Sequence, residues 1–310
     1  MKKLLQHTAL LLTALLPVAC EVSIPYEQDG TPVDMSVNAL FTPDTTVSVS
    51  VAKTLHPSIS EYYSKEMISN ACVELSVNGG QPQTLVYDDS TKSYIGDYRC
   101  RPNDNIRLNV TAEGLRPASC EITAPSQPKI EILSYEKRFS PFVPPAEYIN
   151  EEGGSDTIIV CQLRISDIPD QTNYYRLKVR NISDYRPDIN FFYATDIFTS
   201  SDMIFRDERL TVGTHYRPAY FSNVFDDQLF DGREHTFTVE SRMRSGENPY
   251  MVIELQALSR DFFNYLKIME VYDITDSDPF AEGFSIPSNV TGGTGIVGTL
   301  VPDRHIIRLR

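Results

Sequence analysis

Apolar and polar residues alternate in short runs along most of this chain, the pattern of strands with one wet face rather than of helices. Thr46-Val47-Ser48-Val49-Ser50-Val51 alternates strictly, and runs at Cys72–Val77, 84–87, 93–98, 106–111 and 120–123 follow at short spacing. Asn78-Gly79-Gly80 and Asp88-Asp89-Ser90 lie between them and supply turn chemistry. Six or seven short strands over about 100 residues predict an immunoglobulin-like β-sandwich. Ala124-Pro125-Ser126-Gln127-Pro128 breaks the pattern, so the boundary is set there, with a first domain over 20–125 and a β-rich second domain over 126–310.

In the second half a run at 130–135 leads into a Pro-rich, weakly patterned stretch through Pro145 and Glu151-Glu152-Gly153-Gly154, which reads as an exposed loop. Strand patterns resume at 157–166, 174–179, 191–194, 236–239 and 251–258. One segment has a different period. Ser259 stands as an N-cap before Phe262, Tyr265, Leu266, Met269 and Tyr272, which predicts an amphipathic helix over 260–273. Its aromatic stripe reads as core against the sheet. A last strand is expected over 304–309. The fold class is therefore mostly β, with one amphipathic helix near the C-terminus.

Composition agrees: 17 Tyr and 15 Phe with no Trp, and 20 Pro and 15 Gly dividing short runs. The first nineteen residues differ from the rest. A basic Met1-Lys2-Lys3 precedes an apolar stretch over 4–16 that is too short to span a bilayer, and the segment closes on Val18-Ala19-Cys20. A small residue before a cysteine resembles a bacterial lipobox, in which the thiol is acylated and becomes residue one. Pro17 departs from the usual Leu. Residues 1–19 are thus expected to be a lipoprotein signal peptide and Cys20 the lipid attachment site.

Cleavage there removes two lysines and no acid, leaving 26 basic against 42 acidic residues and a net charge of −16. Such a surface repels nucleic acid and anionic headgroups, so attachment to the membrane must rest on acyl chains. Cys72, Cys100, Cys120 and Cys161 remain, with no CxxC and no zinc spacing among them. If the strands starting at 72, 93 and 120 run the same way, Cys72 and Cys120 share one end of the sandwich. That pair is the expected disulfide, with Cys161 free.

Several motifs then occur in order: Arg164-Ile165-Ser166-Asp167-Ile168-Pro169, Asn173-Tyr174-Tyr175-Arg176-Leu177, and Phe225-Asp226-Asp227-Gln228-Leu229-Phe230-Asp231-Gly232. Leu258-Ser259-Arg260-Asp261-Phe262-Phe263-Asn264-Tyr265-Leu266, Pro279-Phe280-Ala281-Glu282 and the Ser288-Asn289-Val290 run into Gly292–Gly298 complete the series. Together they resemble the Bacteroidetes lipoproteins of domain of unknown function family forty-two forty-nine, over nearly the whole mature chain. Phe262-Phe263 replaces a common Tyr pair. The resemblance implies an outer-membrane lipoprotein that assists import through a neighbouring TonB-dependent receptor. It brings no catalytic or binding residues with it.

Candidate chemistry is sparse. Gly293-Thr294-Gly295-Ile296-Val297-Gly298 matches GxGxxG, but only twelve residues follow, so a Gly-rich loop with tight backbone approach is expected instead of a nucleotide site. The acids over 273–278 and Asp226, Asp227 and Asp231 offer oxygen ligands without the spacing of a helix-loop-helix calcium site, and read as solvated loop acids. No GxSxG or HExxH is present, and His56, His215, His235 and His305 have no companion motif. No enzyme activity, cofactor or metal is expected. The aromatic and arginine-bearing stretch over 185–220 is the candidate partner surface, with Arg186, Tyr193, Arg206, Tyr216 and Arg217 as contact residues; the competing reading places its rings in the core. The expected role is a non-enzymatic accessory to TonB-dependent uptake, by ligand capture or receptor gating. A structural or adhesive surface protein, such as a fimbria-associated subunit, is the alternative.

Overall fold

Period-two burial organises the molecule. In β7 (Asn105–Thr111) Ile106, Leu108 and Val110 are buried while their neighbours face out, and β8 (Ala118–Thr123) repeats the pattern. The computed structural model describes residues 33–54, 66–141, 155–182, 198–213, 218–242, 249–275 and 285–309. The first half adds β1 (Met35–Phe41), β2 (Ser48–Lys53), β3 (Cys72–Val77), β4 (Gln83–Thr84), β5 (Val86–Asp88) and β6 (Ser93–Ile95). The second half has β9 (Lys129–Pro141), β10 (Ser155–Ser166), β11 (Tyr174–Ile182), a 3-10 turn (Met203–Phe205), β12 (Val224–Asp226), β13 (Glu234–Arg242), β14 (Tyr250–Leu258), α1 (Arg260–Thr275) and β15 (Val297–Arg308).

One eight-stranded sheet, in the order β12-β11-β14-β15-β1-β2-β6-β5, runs through both halves. Its β1 end packs on a four-stranded sheet, β4-β3-β7-β8, around Val49, Val51, Tyr94, Leu75 and Leu108. Its β11 end packs on a three-stranded sheet, β13-β10-β9, around Leu177, Val179, Ile253, Leu163 and Val239. Core membership changes over between Ala124 and Ile130, while the shared sheet crosses that point through a parallel β1–β15 pair that matches Ala39 with Val297. All described residues belong to one compact unit. The helix covers the opposite face at this junction, where Leu258, Phe262 and Leu300 are buried with Leu40 beside them. Within α1 only Phe262 is buried, with Tyr265 and Leu266 half-buried beside it, so the expected stripe is core at its first turn and half-exposed beyond it. Ser259 precedes α1, but its hydroxyl accepts from Thr299 N at 3.1 Å, tying the helix start to β15.

The glycine-rich run seals the first sandwich. Thr294 exchanges backbone hydrogen bonds with Met35 and Val37, and Thr291 with Ser119, so residues 291–296 lie between the edges of β1 and β8. Gly295 has φ +118°, and a Cβ there would stand 2.1 Å from Val37 O. Both conditions require glycine. The GxGxxG match leads into a strand, not a helix.

Four expectations are corrected. β1 is a strand that the alternation did not mark. The run at 84–87 breaks at buried Leu85, with β4 in the four-stranded and β5 in the eight-stranded sheet. The 130–135 strand continues to Pro141 and pairs with β10 from Ser155, so the ends of the expected loop are a long hairpin. The four described cysteines are free. Cys72 pairs with Thr111 and Cys120 with Leu108 on either side of β7, which separates them by two strand spacings, about 9.6 Å, beyond the roughly 7 Å a disulfide tolerates. Cys161 is free, as expected.

Candidate functional site

Two places bring sequence-selected residues together. The first joins the motif around Asp167 to the one ending at Gly232. Asp167 follows β10, and its Oδ1 accepts from Tyr175 Oη at 2.6 Å and Asn173 Nδ2 at 3.1 Å. Its Oδ2 accepts from Gly232 N at 2.7 Å. Asp227 Oδ2 accepts from Asn173 N at 2.6 Å and Nδ2 at 3.1 Å. Gly232 sits at φ +64°, and a Cβ there would meet Pro169 Cβ at 2.9 Å. The β10–β11 and β12–β13 connections are thus clasped by two carboxylates and an amide.

Carboxylate oxygens of Asp167, Asp227 and Asp231 lie within 4.8 Å of one another, the group among the described residues best suited to hold a cation. Asp226 is not part of it and binds Gln228. Asp227 is 2% exposed, and burial, joined by the nearby Asp167 charge, pushes its carboxyl above the ordinary range. Asp167 and Asp227 already accept protein donors, which accounts for the cluster as a structural clasp. Of the acids over 273–278, residues 276–278 lie outside the described residues.

The second place is the candidate partner surface. Arg186, Tyr193, Tyr216 and Arg217 lie outside the described residues, as does Cys20. Arg206 is described and exposed. It follows the 3-10 turn, which Asp202 caps by accepting from Ile204 N. The guanidinium carbon stands 5.1 Å from the centre of the Tyr220 ring, and Nε donates to Glu208 Oε1 at 2.5 Å. Met203 beside it is 63% exposed and Tyr220 38% exposed. Beneath lie Phe198, Phe205 and Phe221, their centroids 5.2–5.7 Å apart. The stretch therefore divides: Phe198 and Phe205 are core, and Tyr220 with Arg206 forms surface.

A polar anchor that the sequence did not suggest fixes this surface to α1. Lys267 Nζ pairs with Asp207 at 2.5 Å and donates to Ser222 Oγ and Val224 O at 3.0 Å. Ser222 Oγ donates to Glu270 at 2.6 Å. Burial alone would raise Asp207, but donors from Arg209 and Lys267 hold it well below the carboxylate range. The only signal was Lys267 and Glu270 three apart on one helix, a spacing that also describes ordinary surface pairs. His235 faces Asp202 at 3.1 Å and stacks on Phe230, and His305 faces Asp303 at 3.3 Å. His56 and His215 lie outside the described residues.

A family model described as Domain of unknown function (DUF4249) matches residues 21–304, which includes β1 to β14, the start of β15 and the clasp in the second sandwich. The chain belongs to this family. The DUF4249 match crosses from one core to the other without a break, as the shared sheet does. No curated protein matches this DUF4249 member.

Proposed function

We propose that the chain is a lipid-anchored outer-membrane accessory to a TonB-dependent receptor, held by acyl chains on Cys20 and acting by contact rather than catalysis, through ligand capture or receptor gating. The observation that supports contact is the Arg206–Tyr220 surface. Arginine, tyrosine and methionine are the side chains that protein interfaces favour, and here Met203 and Arg206 sit on a capped turn with Tyr220 against Arg206, beside packed rings and an ion pair to α1. A preordered surface loses little conformational entropy on binding. The test is co-purification from native membranes. Arg206→Ala with Met203→Ser should deplete the receptor from the purified material while the thermal midpoint stays near that of the parent. Undiminished recovery of the receptor would reject this surface, and absence of any receptor from the parent preparation would reject the role.

A further inference from the structure

We infer that β9 is a self-pairing edge through which two copies of this chain join antiparallel, continuing the three-stranded sheet across a two-fold axis. β9 is the outer strand of β13-β10-β9, and among the described residues its far side has no strand partner. The remaining edges are short or engaged: β12 and β5 have three residues, β4 has two, β8 is bridged by Thr291 and β13 by Thr199. The start of β9 is tied down, since Ile130 N donates to Asp303. Beyond it, Leu133, Tyr135 and Phe139 are 42%, 39% and 72% exposed. An edge of this length with exposed rings is a template for another strand.

The order of side chains selects the occupant. A two-fold axis normal to the sheet keeps each face on its own side, so paired residues must be an even number apart and the axis passes beside one residue. With the axis at Tyr135 or Glu136, Glu136 meets Ser134 or itself. With the axis at Lys137, Glu136 meets Arg138 of the second copy, and Tyr135 meets its Phe139. Both contacts occur twice, one set on each face of the sheet. Arg138 already pairs with Glu240 at 2.7 Å, yet its side chain remains 51% exposed, which leaves donors for a second carboxylate. The cost is Lys137 opposite Lys137. Four favourable cross-strand pairs outweigh one like-charged pair. Lys137 then acts as the brake that keeps pairing reversible.

The test uses the full chain in its membrane, on a Cys72→Ser background that removes the exposed thiol. Lys137→Cys places the two new sulfurs at the axis, so mild oxidation should give a dimer on a non-reducing gel, while Glu113→Cys in an exposed turn stays monomeric. With Lys137→Cys in place, adding Arg138→Glu should abolish the dimer. Adding Glu136→Arg to that variant should restore it, which also rules out misfolding as the cause of the loss. A dimer indifferent to the charge changes, cross-linking to another protein in place of a second copy, or no dimer from Lys137→Cys overturns the inference.

Discussion

Asp167 Oδ2 accepts the backbone N–H of Gly232 at 2.7 Å, so two motifs sixty-five residues apart meet as one clasp. The contact is possible because Gly232 adopts φ +64° and lacks a Cβ that would strike Pro169. Removing the carboxylate leaves the buried Tyr175 hydroxyl and the Gly232 amide without their acceptor. An unpaired buried polar group costs about 1–3 kcal/mol. The Gly232 amide is exposed and can turn to water, so Asp167→Ala should destabilise the chain by about 1–3 kcal/mol in urea unfolding, mainly through Tyr175. A change under about 0.5 kcal/mol would show that the clasp is not needed for stability.

Asp227, in the same clasp, has the opposite sign. Burial first, and then the Asp167 charge, raise its folded pKa above the unfolded value. Such a group favours folding below its unfolded pKa, near 4, and loses that contribution as pH rises through the folded value. Asp227→Asn keeps an acceptor for Asn173 and removes the charge. It should match or exceed the parent at pH 7 and lose any advantage below about pH 4, where the parent carboxyl is protonated. Thermal midpoints across that range check the sign. If calcium raised the parent midpoint and not that of Asp227→Asn, the three acids would be cation ligands and the clasp reading would be wrong.

The thiols give a prediction about access. Burial pushes Cys100 and Cys161 up to about 11 and Cys120 up to about 12, whereas Cys72 is exposed. The thiolate is the reactive form, so burial suppresses reaction twice, through access and through ionisation. Of these four, only Cys72 should label with a maleimide in the native protein at pH 7.5, and all four should label in urea. Mass mapping of the adducts decides it, and native labelling at Cys120 would contradict the packing of β8.

How much of this was legible in the sequence depended on how local the cause was. The alternation in Cys72–Val77 marked β3, and the 3.6-residue spacing of Phe262, Tyr265, Leu266 and Met269 marked α1, because period and burial act over a few residues. The parallel β1–β15 pair joins Ala39 to Val297, and no local pattern carries so distant a pairing. The far part of β9 was concealed by exposed Glu136-Lys137-Arg138, which look like loop residues when neither face is covered. At the candidate surface, Arg206 is exposed. Composition could not separate Phe205, buried, from Tyr220, exposed, since both are aromatic residues in one irregular stretch.

Gly295 and Gly114 both have positive φ, +118° and +74°, but a Cβ at Gly114 meets nothing within 4 Å while one at Gly295 meets Val37 O at 2.1 Å. Alanine at Gly114 should cost only the left-handed backbone penalty of about 1–2 kcal/mol. Alanine at Gly295 adds overpacking against backbone that is held in β1, about 1–3 kcal/mol more. The difference between the two variants in urea unfolding reports the close approach together with the greater strain of φ +118° for a residue with a Cβ. Equal costs would mean that the glycine run does not seal the sandwich tightly.

The last prediction concerns the ion pairs beside the shared sheet. Arg304 on β15 donates from Nε to Glu254 Oε2 at 2.5 Å and from Nη2 to Asp44 Oδ2 at 2.6 Å, linking β14 to the turn after β1. The Glu254 side chain is 3% exposed. Burial would raise its carboxyl, but Arg304 first, with Gln256 and Arg180, brings it below the ordinary glutamate value. Breaking a buried pair by removing one partner costs about 3–5 kcal/mol, and the lower end applies here because Arg180 stays 3.5 Å from Glu254. Arg304→Met should thus destabilise by about 3 kcal/mol at pH 7. Glu254→Leu added to it should not recover that loss, since it also takes the carboxylate away from Arg180, whose side chain is 2% exposed. The pH dependence follows from the lowered pKa: the contribution is present above the unfolded glutamate value, near 4.3, and disappears as pH falls through the folded one. The deficit of Arg304→Met relative to the parent should therefore shrink in acid, and a deficit that stayed constant from pH 7 to pH 3 would assign Arg304 a packing role in place of an electrostatic one.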